Sequence, residues 1–114
     1  LDALKRNLKK YNQTGLSGYL VLGSNGEGVY LDEKEKQRVL EAAREAIPED
    51  MIFMAGTGQE STRATIRLTN QAAESGADCA LVVTPNFYKG GMTREALKRH
   101  YLTVADSARL PILI

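Results

Sequence analysis

Three near-continuous apolar runs, "GYLVLG" (18–23), "MIFMAGTG" (51–58) and "CALVVTP" (79–85), recur at intervals of roughly 30 residues, and a fourth, "LPILI", begins at the same spacing after the third. None alternates apolar with polar. Each therefore reads as a strand covered on both faces, as in a parallel sheet, and parallel strands need crossover helices between them. The intervening segments have the helical period. In "LDEKEKQRVLEAAREAIPED", Asp32 with Glu35 three residues on forms a capping-box start, Leu31 serves as the staple residue, and Val39, Leu40, Ala43, Ala46 and Ile47 make one stripe that Pro48 ends. In "ESTRATIRLTNQAAESGAD", Ser61 or Thr62 caps, Ala64, Leu68 and Ala72 share a face, and Gly76 stops the helix. Residues 93–108 repeat the scheme with Thr93 as cap and Leu97, Tyr101, Val104 and Ala108 inward, and an opening helix carries Leu4 and Leu8. The order α-β-α-β-α-β-α-β predicts an α/β fold, either doubly wound or a (β/α)₈ barrel, which periodicity alone does not separate.

The balance of charge narrows the partners. Among 114 residues, 15 Lys and Arg face 14 Asp and Glu, interspersed rather than in blocks, so no basic stripe for nucleic acid is expected. The single cysteine, Cys79, excludes an intrachain disulfide and a cysteine-based zinc site, and reads as a small buried hydrophobe. No apolar stretch approaches the roughly 20 residues of a membrane span, and "LDALKRNLKKYNQTG" lacks the apolar centre of a signal peptide. A cytoplasmic or mitochondrial-matrix protein without membrane contact is the expectation. Leu1 is not an initiator methionine and "LPILI" stops within an apolar run, so a longer chain is expected.

In both candidate architectures ligands bind at the carboxyl ends of the strands. The loops there are "GSNGEG", "GTGQES" and "TPNFYKGG". A dinucleotide site needs G-x-G-x-x-G. The first loop has the glycines in another order. The second puts Ser61 where the third glycine belongs, and Asp78 begins the following strand instead of ending it. No G-K-[ST] follows any loop, which removes a P-loop. In the first loop Ser24 offers a hydroxyl, Asn25 an amide, and the glycines let backbone N–H groups approach an oxyanion, which fits a small carboxylate; a plain tight turn is the competing reading.

"GSNGE" after a strand, "AGTGQEST" in the next unit and "GADCALVVTPNFYKG" in the third resemble, in order and spacing, the dihydrodipicolinate synthase and N-acetylneuraminate lyase family of class I aldolases. The Ser24-Asn25 variant, "ESTRAT" and the "HYLTVAD…LPILI" end are most similar to the 4-hydroxy-2-oxoglutarate aldolase branch. The resemblance covers nearly the whole chain. It implies part of a (β/α)₈ TIM barrel running from helix 1 through strand 5, in enzymes that cleave or condense pyruvate-derived 2-oxo acids through a lysine Schiff base. It also implies that Ser24 and Asn25 bind the pyruvate carboxylate, and that the parent protein is a homo-oligomer, a tetramer. No cofactor and no metal are expected. The synthase pattern has a second threonine as proton relay, and Asn25, a poor proton carrier, favours the aldolase branch. The family tyrosine at the second position beyond Thr-Pro is Phe87 here, with Tyr88 beside it, and both are candidate substrate-binding residues reaching toward a neighbouring subunit.

The Schiff-base lysine of that family, at the end of its sixth strand, and a tyrosine after its fifth have no counterpart within these residues. Lys89 stands at the correct end of the sheet but between glycines in an exposed loop; His100 reads as a helix-surface residue, and Glu27 supports the loop or opens the next helix. Four strands cannot close a barrel, so the expected parent is roughly 300 residues long. The 114 residues alone are expected to self-associate or stay partly unfolded and to be inactive. Besides a lyase segment, the pattern admits dihydrodipicolinate synthase itself and a non-catalytic half-barrel binding module.

Overall fold

The computed structural model describes residues 1–114. Helix α1 (Asp2–Tyr11) precedes strand β1 (Gly18–Val21), followed by α2 (Glu33–Ala46), β2 (Ile52–Gly56), α3 (Thr62–Glu74), β3 (Cys79–Leu81), α4 (Arg94–Ser107) and β4 (Ile112–Leu113). The four strands are parallel and lie in sequence order, β1-β2-β3-β4, with Tyr19 beside Phe53, Ala55 beside Ala80 and Ala80 beside Ile112. Local signals set the helix ends. Asp32 and Glu35 form the reciprocal capping box, Ser61 is the cap of α3 and Thr93 that of α4, each accepting from a backbone N–H of the first turn. Gly76, at φ +83°, turns the chain out of α3.

The core shows which α/β architecture this is. Phe53, Ala55, Ala80 and Val82 point from the sheet into the helices and are fully buried with Leu40, Ala43 and Ala72. The alternate residues, Leu20, Ile52, Val83 and Leu113, project from the other face and are exposed. A doubly wound sheet reverses its strand order and carries helices on both faces. Here the order never reverses and all helices lie on one side, the arrangement of a barrel wall. The strands are also shorter than the apolar runs, since β1 ends at Val21 where Leu22 turns left-handed at φ 62°.

Polar contacts hold the end of the sheet opposite the candidate loops. The Phe53 N–H donates to Asp78 Oδ2 (2.7 Å), and Arg44 donates to the Ile47 and Pro48 carbonyls while lying over the Phe53 ring. Between β2 and α3 a chain of hydroxyls is sealed from solvent. Thr69 donates to the Thr65 carbonyl (2.8 Å), which leaves Thr57 to donate to Thr69 Oγ1 (2.8 Å).

Three sequence expectations change. His100 is not on the helix surface: it is 7% exposed and packs between α4 and α3, its Nδ1 2.9 Å from Thr62 Oγ1. Its position four residues before buried Val104 puts it on the inward stripe. Cys79 is half-buried, because it stands on the open face of β3, where burial and neighbouring Asp78 push its thiol pKa up. Glu27 does not begin the next helix, which starts at Glu33; it adopts a left-handed conformation at φ 52° between two 3₁₀ turns.

Candidate functional site

The carboxyl ends of β1, β2 and β3 open into a cleft of about 420 Å³. Leu20, Leu22, Val29, Leu81 and Val83 give it an apolar lining, and Ser24, Asn25, Gln59 and Lys36 line it as well. Such a combination, an apolar body with a few polar groups, suits a small organic ligand.

The first loop is built by two bends. Leu22 at φ 62° and Glu27 at φ 52° are the two non-glycine residues with positive φ in the chain, and they bracket the 3₁₀ turn Ser24–Gly26. Each conformation costs on the order of 1–3 kcal/mol and persists where surrounding packing enforces it. The enforcement at Leu22 comes from Gly56. A Cβ on Gly56 would lie 2.4 Å from the Leu22 carbonyl oxygen, so the end of β1 rests directly on the backbone of β2. Gly58 plays the same part for β3, where a Cβ would lie 2.6 Å from the Val83 nitrogen.

The turn leaves donors uncommitted. Within it, the Gly26 N–H donates to the Gly23 carbonyl (2.9 Å) and that of Glu27 to the Ser24 carbonyl (3.1 Å). The Ser24 and Asn25 N–H groups stand ahead of the first such bond and have no acceptor in the chain. With the Ser24 hydroxyl and the Asn25 amide they form a cluster of donors at the cleft, the pattern of a backbone anion nest.

The third loop is positioned by the second. The Glu60 carboxylate accepts from the Asn86 N–H (3.1 Å) and the Phe87 N–H (3.0 Å), and Thr84 Oγ1 lies 2.9 Å from the Tyr101 hydroxyl. This holds Phe87 and Tyr88 as an edge-to-face pair with centroids 5.0 Å apart. The two are 75% and 74% exposed and stand outside the cleft. The structure thus brings Ser24 and Asn25 together at the cleft and places Phe87 and Tyr88 on its flank. Lys89 is exposed in the turn that follows, and also outside the cleft.

Two polar residues were passed over in the sequence. Lys36 lies four residues before Leu40, so extending the α2 stripe by one turn reaches it. Glu60 bonds to residues 26 and 27 positions away, and nothing local announces that.

Parallel strands in sequence order with all helices on one side define a segment of a (β/α)₈ barrel, with a cleft at the strand C-termini. The chain matches the model of the dihydrodipicolinate synthetase family over residues 1–114, and it belongs to that family. It is 41% identical over 106 residues to the probable mitochondrial 4-hydroxy-2-oxoglutarate aldolase of Emericella nidulans, a match covering 90% of this chain and 34% of the relative. Against the 4-hydroxy-tetrahydrodipicolinate synthase of Xanthomonas axonopodis pv. citri it is 40% identical over its full length and 37% of the relative's. The structure of the chloride-inhibited dihydrodipicolinate synthase of Acinetobacter baumannii, complexed with pyruvate, superposes with a TM-score of 0.91 at 32% identity, covering 97% of this chain and 38% of that one. The chain therefore spans about a third of the length of the curated relatives it matches. No helix is long and apolar enough to cross a membrane.

Proposed function

We propose that this chain supplies the carboxylate-binding part of a Schiff-base-forming lyase acting on pyruvate-derived 2-oxo acids, of which 4-hydroxy-2-oxoglutarate is the favoured example. One observation carries the reading: two backbone N–H groups, a hydroxyl and an amide, at Ser24 and Asn25, meet without acceptors at a cleft with an apolar lining. A carboxylate offers two oxygens with several lone pairs to such a cluster, and the short carbon chain of a 2-oxo acid lies against Leu20, Leu81 and Val83. In this reading the lysine that forms the imine and the tyrosine that moves its proton belong to parts of the complete protein beyond these residues. The 114 residues alone are then inactive.

Phe87 and Tyr88 have a different place in the proposal. Two large aromatic rings that stay mostly exposed, on a loop whose Asn86 and Phe87 N–H groups bond to Glu60, are poorly matched to water. They are assigned to a contact with a neighbouring subunit, completing that subunit's site in a homo-oligomer.

Asn25 and the aldolase of Emericella nidulans favour cleavage of 4-hydroxy-2-oxoglutarate. The synthase of Xanthomonas, matched over the whole chain, supports a second reading, condensation of pyruvate with aspartate semialdehyde. The test is borohydride reduction of the complete protein in the presence of pyruvate, followed by assays of both reactions. A reduced pyruvate adduct with aldol cleavage is expected. Binding of pyruvate without any adduct would instead mark a non-catalytic barrel.

A further inference from the structure

Three threonines, Thr57, Thr65 and Thr69, are 0% exposed, and their hydroxyls all serve one short stretch of backbone. Thr65 Oγ1 accepts from the Gln59 N–H (3.1 Å) and donates to the Gln59 carbonyl (3.2 Å), so a single hydroxyl grips both backbone groups of one residue. No backbone group of the chain reaches either of them. The Ser61 carbonyl, also 3.2 Å from that hydroxyl, already accepts the Thr65 N–H (3.0 Å). Two residues before Gln59, Thr57 is tied to the same helix through Thr69, whose hydroxyl donates to the Thr65 carbonyl. Residues 57–59 are thus fastened to α3 at both ends. Gly58 and Gln59 line the cleft, with Gly56 just before them, and the Gln59 side chain folds onto the Gly58 carbonyl (Nε2 to O 2.6 Å).

Buried hydroxyls are a poor way to gain stability. A hydrogen bond between two of them adds little over an apolar pair of the same shape, and each hydroxyl left without a partner destabilises the fold. When all are satisfied, as these three are, such a network fixes one geometry. That matters most beside a ligand, because a wall ordered in advance spares the ligand the entropy of ordering it. We infer that Thr65 is a positioning residue for the cleft, holding the Gln59 backbone so that Gly58 and Gln59 form a preset wall, while Thr57 and Thr69 fix the near end of the same stretch. Thr65 does not itself line the cleft and acts through Gln59. The inference rests on the reading of the cleft as a 2-oxo-acid site and adds the part that keeps it in shape.

The experiment compares the complete protein with its Thr65→Val and Thr65→Ser forms by hydrogen–deuterium exchange over residues 57–61, thermal melting and calorimetric titration with pyruvate. Thr65→Val keeps the shape and removes the hydroxyl; Thr65→Ser keeps the hydroxyl and removes a buried methyl group. Both should melt lower. Only Thr65→Val should exchange faster over 57–61 and bind pyruvate more weakly, by about tenfold, the cost of ordering roughly one residue on binding. Thr65→Ser should stay within about twofold of the unsubstituted protein, since the hydroxyl contacts remain. Thr57→Val combined with Thr69→Val removes a donor together with its acceptor and strands no buried group, so it should fold and loosen the near end of the stretch, weakening pyruvate by about threefold. Equal loss of affinity in Thr65→Val and Thr65→Ser, or faster exchange with unchanged affinity, would overturn the inference, as would unchanged exchange and affinity in the double form. If the unsubstituted protein binds no pyruvate yet exchange still separates Thr65→Val from Thr65→Ser, the 2-oxo-acid reading fails and the positioning of residues 57–59 stands.

Discussion

Ile52 and Phe53 are neighbours in β2 and experience opposite surroundings. Phe53 faces the helices and is 0% exposed; Ile52 faces the other way and is 52% exposed. The same alternation runs across the sheet, with Ala55, Ala80 and Val82 sealed and Leu20, Val83 and Leu113 open. One face is a finished core and the other is the apolar lining of something larger. The cleft lies where the open face meets the strand C-termini, so a proposal about function and a proposal about barrel closure stand on the same residues.

The contrast can be broken at its strongest point first. Phe53→Ala should lower stability by about 3–5 kcal/mol in the complete protein, measured by urea unfolding, because it hollows a closed core. Ile52→Ala should cost about 2–4 kcal/mol in the complete protein, although Ile52 is 52% exposed within these residues. A cost of roughly 0.5 kcal/mol or less, the size of a surface substitution, would contradict barrel closure over this face. Gly56→Ala comes next, at about 1–3 kcal/mol, since its methyl group meets the Leu22 carbonyl. It should also weaken pyruvate binding by displacing the 24–26 turn, and unchanged pyruvate affinity would separate the turn from the site.

Smaller effects sharpen the picture at the flank. Glu60→Ala should cost about 1 kcal/mol and hasten proteolytic nicking of residues 84–92, because two N–H groups lose their acceptor. The smallest effect concerns pH. Burial holds the His100 pKa below its ordinary 6.5, so the unfolded chain takes up that proton first. The stability tied to neutral His100 is therefore present above about pH 6.5 and falls as the pH drops toward the folded-state value. His100→Gln should flatten that slope in thermal melts between pH 5 and 7, roughly the histidine range; an unaltered slope would assign it to other groups.

Much of this was legible where the determining physics is local. The capping box of Asp32 and Glu35, the cap Thr93 and the stop at Gly76 involve groups within one turn of each other and are all present, and of the two candidates for the α3 cap, Ser61 and Thr62, it is Ser61 that accepts from the first turn. Apolar runs located the strands but overstated them, because the bend at Leu22 is imposed by Gly56, 34 residues on. His100 reads as a surface residue because it stands beside Lys98 and Arg99, and the partner that turns it inward, Thr62, lies 38 residues away. The glycine loop with Ser24 and Asn25 was recognisable as part of a strand-end cleft, and Lys36 was within reach of the α2 stripe extended by one turn, while Glu60 bonds across the fold and carries no local mark.

The central claim is that the Ser24–Asn25 turn holds the carboxylate of a 2-oxo acid. Its most direct test is the pyruvate concentration that gives half-maximal borohydride-trapped adduct, read by intact-protein mass spectrometry, for the complete protein and for Ser24→Ala with Asn25→Ala. The account predicts an adduct in both, with the doubly substituted protein needing about tenfold or more pyruvate. The same half-maximal concentration in the two proteins would contradict it.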